Sequence, residues 1–139
     1  MTTAEDVTLV KDAIHNPSEP RHFMRVVPAE GGDRTAAIGS TTIARSANAL
    51  IVKEVGLDLY DHVVYFPRAD VDMDALVRID KTTHCPLKGD TEYFDVVVDG
   101  EQIAEAAWSY VETIDVAAQL RGLVAFDTVK VVVERAGSA

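Results

Sequence analysis

Eight consecutive residues, Thr82-Thr83-His84-Cys85-Pro86-Leu87-Lys88-Gly89, hold an imidazole, a thiol, an ammonium and two hydroxyls. Pro86 and Gly89 bend the chain there and aim these groups. Cys85 invites a nucleophile with His84 as base, but neighbours in an extended chain point to opposite faces, so the two side chains do not meet. His15, His22 or His62 offers a distant base, and nothing selects among them. The alternative is Cys85 as a small buried hydrophobe. Alternate residues share a face, so Thr82, His84 and Lys88 converge if the Pro86 bend permits. Otherwise His84 is bonded within a sheet and Lys88 is solvated.

Further polar and aromatic groups lie between Tyr65 and Tyr110. Arg68 follows Tyr65-Phe66-Pro67 and offers a planar fork for carboxylate or phosphate, or an ion pair with Asp70 or Asp72. Trp108 and Tyr110 share one face of an expected strand, with Ser109 opposite. An indole beside a phenol stacks on a flat ligand and hydrogen-bonds it, or packs a core. The expected ligand set is therefore Tyr65, Arg68, His84, Cys85, Lys88, Trp108 and Tyr110. His84 is the general acid or base if chemistry occurs. His84, Asp70 and Asp72 make at most a weak carboxylate–histidine set, without a paired histidine motif, so no metal and no cofactor is expected.

The elements that position these groups read mainly as β-strands. Spacing of Val7, Val10 and Ile14 predicts a short helix over residues 4–14, ended by Asn16, Pro17 and Pro20. Thereafter the period is two. Strands are expected at His22–Val27, Arg34–Ile38, Thr41–Ala44, Ala49–Glu54 and His62–Phe66, with a turn at Glu30-Gly31-Gly32-Asp33. Leu76–Ile79 and Thr82–Cys85 are shorter extended pieces. Glu92–Val98 and Ile103–Val111 flank Asp99-Gly100, which suits a type I′ hairpin turn. Leu123–Phe126 and Thr128–Glu134 complete the strands. Helical turns are expected near Asp70–Leu76 and Asp115–Leu120. The fold class is a mainly β, compact antiparallel domain, a barrel or folded sheets. It divides into an N-terminal helix and linker over 1–21, one β-domain over 22–135, and a frayed tail over 136–139.

Size and charge restrict the function. The 139 residues fit one domain, and 47% hydrophobic content suits a folded globule. A net charge of −10 argues against nucleic acid and against anionic membranes as partners. One cysteine allows no internal disulfide. The acidic N-terminus is no secretory signal, and no stretch reaches the ~18 apolar residues of a membrane span, so the chain is expected in the cytoplasm.

Four groups of residues occur together in a known order. They are Tyr65-Phe66-Pro67-Arg68 with Val71-Asp72-Met73; Thr83 through Gly89 with Tyr93-Phe94; Ala107-Trp108-Ser109-Tyr110; and Gly122-Leu123-Val124-Ala125-Phe126. In these the chain resembles the bacterial family called domain of unknown function 427, sometimes filed under a nucleotidyltransferase label. The resemblance covers residues 22–133, and Leu87 stands where tyrosine is common. It implies a compact fold like the β-tent group of methionine sulfoxide reductase B, yippee proteins and the thalidomide-binding domain of cereblon. Many of those hold zinc through paired cysteines, which this chain lacks. They also bind small molecules in an aromatic cleft, and by analogy Tyr65, Trp108 and Tyr110 line one here.

Three functions follow as expectations. The first is binding of a small anionic or planar molecule, with or without catalysis, Arg68 and Lys88 holding an anionic group and the aromatics sandwiching a flat part. The second is a Mg²⁺-dependent nucleotidyl transfer on Asp70 and Asp72. The Gly39-Ser40 turn precedes that pair by thirty residues, too far for the usual arrangement. The third is a non-catalytic interaction module, with Val129-Lys130-Val131-Val132-Val133 as a strand that pairs across a homodimer.

Overall fold

The computed structural model describes residues 13–16, 19–56 and 60–136. The chain is mainly β and builds three antiparallel sheets, not a barrel. The first sheet orders β1 (Ile14–Asn16), β2 (Glu19–Pro28), β5 (Leu50–Val55) and β6 (Val63–Tyr65). The second orders β12 (Val132–Arg135), β3 (Arg34–Ile38) and β4 (Thr41–Ser46). The third orders β11 (Val124–Phe126), β10 (Glu101–Thr113), β9 (Gly89–Val98) and β7 (Leu76–Ile79), with β8 (His84–Cys85) also on β9. A bridge between Phe66 and Val124 ties the first sheet to the third, through two backbone hydrogen bonds of 2.8 Å.

The period of two sends adjacent residues to two different cores. Tyr65 enters a cluster with Met24, Val52, Leu87, Tyr110 and Leu120. Its neighbour Phe66 enters the other, with Ile43, Phe94, Val96 and Phe126. The third sheet divides them: Ala107 faces the Phe66 cluster, Trp108 and Tyr110 the Tyr65 cluster. Tyr65 and Phe66 are both fully buried, each contributing about 1.5–3 kcal/mol of burial free energy.

The β9–β10 hairpin turns where the dipeptide predicts. Asp99 and Gly100 have φ of 52° and 79°, both in the region a type I′ turn requires. Further along, β10 bulges. Pairing runs from Ile103 opposite Val96 to Ala107 opposite Phe94, so β10 holds two extra residues. Glu105 sits there at φ 50°, and its N–H donates to Asp95 Oδ1 at 2.9 Å. Gln102 Nε2 donates to the other oxygen at 2.6 Å, so the bulge has a buried acceptor holding it.

Several elements differ from the sequence reading. Residues 4–12 of the expected helix lie outside the described residues, and Ile14, its last residue, is in a strand paired with Met24. The sheet therefore reaches back into the segment 1–21 read as helix and linker. Thr128–Val131 is a turn, not the start of a strand. The Asp127 carboxylate accepts from Val129 N–H at 3.0 Å, and its carbonyl takes both Lys130 and Val131 N–H. That aspartate-centred turn overrides the β-branched run and leaves Val129 exposed. β12 is then a four-residue edge strand on β3. Asp115–Leu120 forms a 3₁₀ turn as expected, and two more occur at Arg68–Asp70 and Met73–Ala75. Ala136 N–H donates to Asp33 O at 2.8 Å; the rest of the expected tail lies outside the described residues. Among the described residues no helix is long and apolar enough to cross a membrane.

Candidate functional site

The turn after β8 sets the site. Cys85 pairs with Gly89 across the end of β9, and Lys88 N–H donates to Cys85 O at 3.1 Å. Leu87 anchors the turn, fully buried among Tyr65, Tyr110 and Leu120. Closing the turn reverses the alternation, so Lys88 lands on the side of Cys85. Lys88 Nζ donates to Cys85 Sγ at 3.5 Å. The same ammonium pairs with Glu54 of β5, and the other Glu54 oxygen bonds His22 Nε2 at 2.8 Å. Lys88 is almost wholly buried, its side chain 7% exposed.

Aromatic groups surround this array. Trp108 Nε1 donates to the Tyr65 hydroxyl at 3.2 Å. Tyr93 of β9 lies directly across from Trp108, ring centroids 6.4 Å apart. Tyr110 lies 6.3 Å from Tyr65, and Lys88 Nζ is 5.6 Å from the Tyr110 ring. Together Glu54, Tyr65, Cys85, Lys88, Tyr93, Trp108 and Tyr110 line one cleft of about 660 Å³, within the usual size of small-molecule sites. The acids Asp61, Glu105 and Asp127 border it.

The structure thus brings together five of the seven expected residues: Tyr65, Cys85, Lys88, Trp108 and Tyr110. Arg68 is elsewhere. Its Nε donates to Gly122 O at 3.0 Å, and its Nη2 to Glu92 at 3.1 Å and to Ser109 Oγ at 3.0 Å. Ser109 alternates with Trp108 and Tyr110, so Arg68 lies behind the sheet that carries the cleft. His84 is exposed on β8, bonded to Asp90 at 2.7 Å, and is not part of the cleft lining. The expected convergence of Thr82, His84 and Lys88 fails because the turn flips Lys88 to the other side. The anion clamp expected between Arg68 and Lys88 does not form, and His84 is not placed to serve as acid or base in the cleft.

Two residues that the sequence reading passed over are central. Glu54 follows Val52 on the inward face of β5, and an acid on an apolar face is the signal for a buried cation. Tyr93 forms a wall with Trp108.

Burial alone raises the Glu54 carboxyl, but the hydrogen bond and charge of Lys88, then those of His22, outweigh it and hold the carboxyl below its ordinary value. Burial also pushes the Tyr65 and Tyr110 phenols up, so both stay protonated donors at neutral pH. Because the folded Glu54 binds its proton less tightly than the unfolded one, its contribution is fully present above the ordinary 4.5. It is lost as pH falls through the lower folded value. Melting temperature measured from neutral to about pH 3 is expected to drop below that point, and Glu54→Gln is expected to flatten this acid limb.

Asp70 accepts from Ser46 Oγ at 2.6 Å, and Asp72 accepts from Asp74 N–H at 3.2 Å as the cap of a 3₁₀ turn. Gly39-Ser40 is the exposed turn between β3 and β4. Among the described residues no three histidine, cysteine or acidic side chains group as metal ligands.

Residues 32–137 match the family model named NTP_transf_9 and described as Domain of unknown function (DUF427). No curated protein matches the chain.

Proposed function

The chain belongs to the family described as domain of unknown function 427, and we propose that this member binds a small, planar, uncharged molecule in the cleft beside Trp108. The Tyr110 hydroxyl carries this reading. Tyr110 is only 7% exposed and lines the cleft, yet its hydroxyl has no hydrogen-bond partner among the described residues. A buried donor left unmade costs about 1–3 kcal/mol, which a ligand with an acceptor on its edge would recover. Tyr65 adds a second donor, since its hydroxyl accepts from Trp108 and donates to no described side chain.

The walls favour a flat body. Indole and phenol faces stack on planar rings, and such pairs are worth about 0.5–1.5 kcal/mol beyond burial. Charge selects against an anion. Lys88 is already paired with Glu54, and Asp61, Glu105 and Asp127 repel negative charge at the border. The nucleotidyltransferase part of the family's label finds less support here, because Asp70 and Asp72 are engaged within their own loop and strand contacts.

A thermal-shift panel of planar compounds bearing a carbonyl or ring-nitrogen acceptor tests the reading. Binding raises the melting temperature by mass action. Hits are expected to lose about tenfold in affinity in Tyr110→Phe, the equivalent of one hydrogen bond. A panel without hits, or hits indifferent to Tyr110→Phe, would overturn it.

A further inference from the structure

A binding cleft alone gives no reason to place an ammonium against a thiol. Cys85 lines the cleft, and Lys88 Nζ donates to its sulfur at 3.5 Å. The same ammonium bonds Glu54, which in turn holds His22. His22, Glu54, Lys88 and Cys85 therefore form a continuous chain of polar contacts ending at the sulfur. A neighbouring cation stabilises thiolate over thiol, and the thiolate is the nucleophile. Glu54 opposes this from farther along the chain, while Lys88 touches the sulfur directly.

The hydroxyls supply an independent observation. Tyr110, whose hydroxyl has no hydrogen-bond partner among the described residues, and Tyr65, whose hydroxyl accepts from the Trp108 indole, line the same cleft as Cys85. Two neutral donors suit an oxygen that gains negative charge during reaction. A flat wall suits a conjugated system.

We infer that Cys85 is a nucleophile that adds to a planar α,β-unsaturated carbonyl compound whose oxygen is held by the Tyr110 and Tyr65 hydroxyls, an assignment that rests on the ligand-binding reading of the same cleft. The thiol first gives its proton to solvent. A sulfur lone pair then forms a C–S bond to the β-carbon. The C=C π pair shifts to form an enolate, whose oxygen accepts from the two phenols. A proton from water returns to the α-carbon, leaving a thioether. Nothing departs, and no oxidant or reductant is consumed.

The titratable groups lining the cleft around Cys85 are Lys88 on its own turn, Glu54 of β5, Tyr60, Asp61 and His62 before β6, Tyr65 of β6, Tyr93 of β9, Glu105 and Tyr110 of β10, and Asp127 after β11. Lys88 is the one that hydrogen-bonds the sulfur.

The test follows adduct formation on the full chain by mass spectrometry at about pH 6.5, well below the ordinary thiol value. Three probes are used: the planar enone benzylideneacetone, its saturated analogue benzylacetone, and iodoacetamide. Benzylideneacetone is expected to add once, at Cys85, at least about tenfold faster than to glutathione. Tyr110→Phe is expected to slow benzylideneacetone about tenfold or more and to leave iodoacetamide unchanged. Lys88→Met should slow both electrophiles. Because that substitution also unpairs Glu54, Glu54→Gln supplies a second arm of opposite sign: it frees the ammonium for sulfur and should speed both.

Benzylacetone separates the two ideas. If it raises the melting temperature in a Tyr110-dependent way, but Cys85 reacts no faster than glutathione with either electrophile, the nucleophile is excluded and the binding reading stands. If neither carbonyl compound binds, and Cys85 reacts no faster than glutathione, both fall for this class of ligand. Rates unaffected by Lys88→Met and Glu54→Gln would also overturn the assignment.

Discussion

Lys88→Met is expected to lower the stability of the folded chain by about 3 kcal/mol, near the low end for breaking a buried ion pair. For a chain of this size that is roughly a 10 °C fall in melting temperature. The reason is what remains, not what is removed. Methionine fills the lysine's apolar volume, but Glu54, only 16% exposed in its side chain, keeps His22 as its main partner. Burial then governs the carboxyl, raises its proton affinity, and makes the ionised form costly. The wild-type carboxyl is held below 4.5, so its pairing contributes above that pH. In the variant the folded carboxyl binds its proton more tightly than in wild type, so its ionised form contributes less to stability as pH rises. The gap between the two proteins should therefore widen from about pH 4.5 toward neutrality. Adding Glu54→Leu should restore much of the loss, since two apolar groups replace the pair without stranding a charge. Urea melts of the four proteins give the coupling directly. Equal losses at acid and neutral pH, or no rescue in the double variant, would remove Glu54 from this account.

Gly89→Ala is expected to cost more, about 4 kcal/mol or beyond, in the range where folding itself fails. Gly89 has φ of +126°, a conformation that L side chains rarely adopt. A β-carbon there would stand 2.0 Å from Glu112 O and 2.8 Å from Thr113 Cα. Both are backbone atoms of β10, so no side chain can swing away. The close approach lets β9 start beside β10 while Ile114 N–H reaches Lys88 O at 3.0 Å. Lys88 is aimed by this crossing, so the effect reaches the cleft. Gly100→Ala is the matched control: it is also at positive φ, but nothing lies within 4 Å of an added carbon. Circular dichroism and melting temperature of the two variants should differ sharply. A Gly89→Ala protein as stable as Gly100→Ala would contradict the packing described.

Local chemistry was legible in the sequence wherever it acts alone. β3 and β7 begin and end where the strands were expected, and Asp99-Gly100 turns as its dipeptide demands. The shared face of Trp108 and Tyr110 follows from the period of two. The same rule misled at Lys88, because the closed turn between Cys85 and Lys88 changes which face the chain presents. Arg68 was drawn toward the aromatics by proximity along the chain. Its partner Ser109 lies opposite them, buried on the far side of the sheet.

Tyr93 was hidden for a geometric reason. Counting back from the hairpin, with Glu101 opposite Val98, puts Thr91 across from Trp108. The two-residue bulge before Ala107 shifts that partner to Tyr93. Nothing in local propensity announces such a bulge; its cause is the Asp95 carboxylate accepting from Glu105 N–H across the ladder. Glu54 is a long-range partner, 34 residues before Lys88, and only the fold brings the two strands together.

Trp108 is the only tryptophan in the chain, so its emission reports on this cleft alone. Titrating the compound with the largest melting shift, while following that emission in wild type and Tyr110→Phe, is the most direct examination of the cleft. A saturable change in wild type, with affinity about tenfold weaker in the variant, is the predicted result. A compound that stabilises the protein yet leaves Trp108 emission unchanged, or binds both proteins equally, would contradict it.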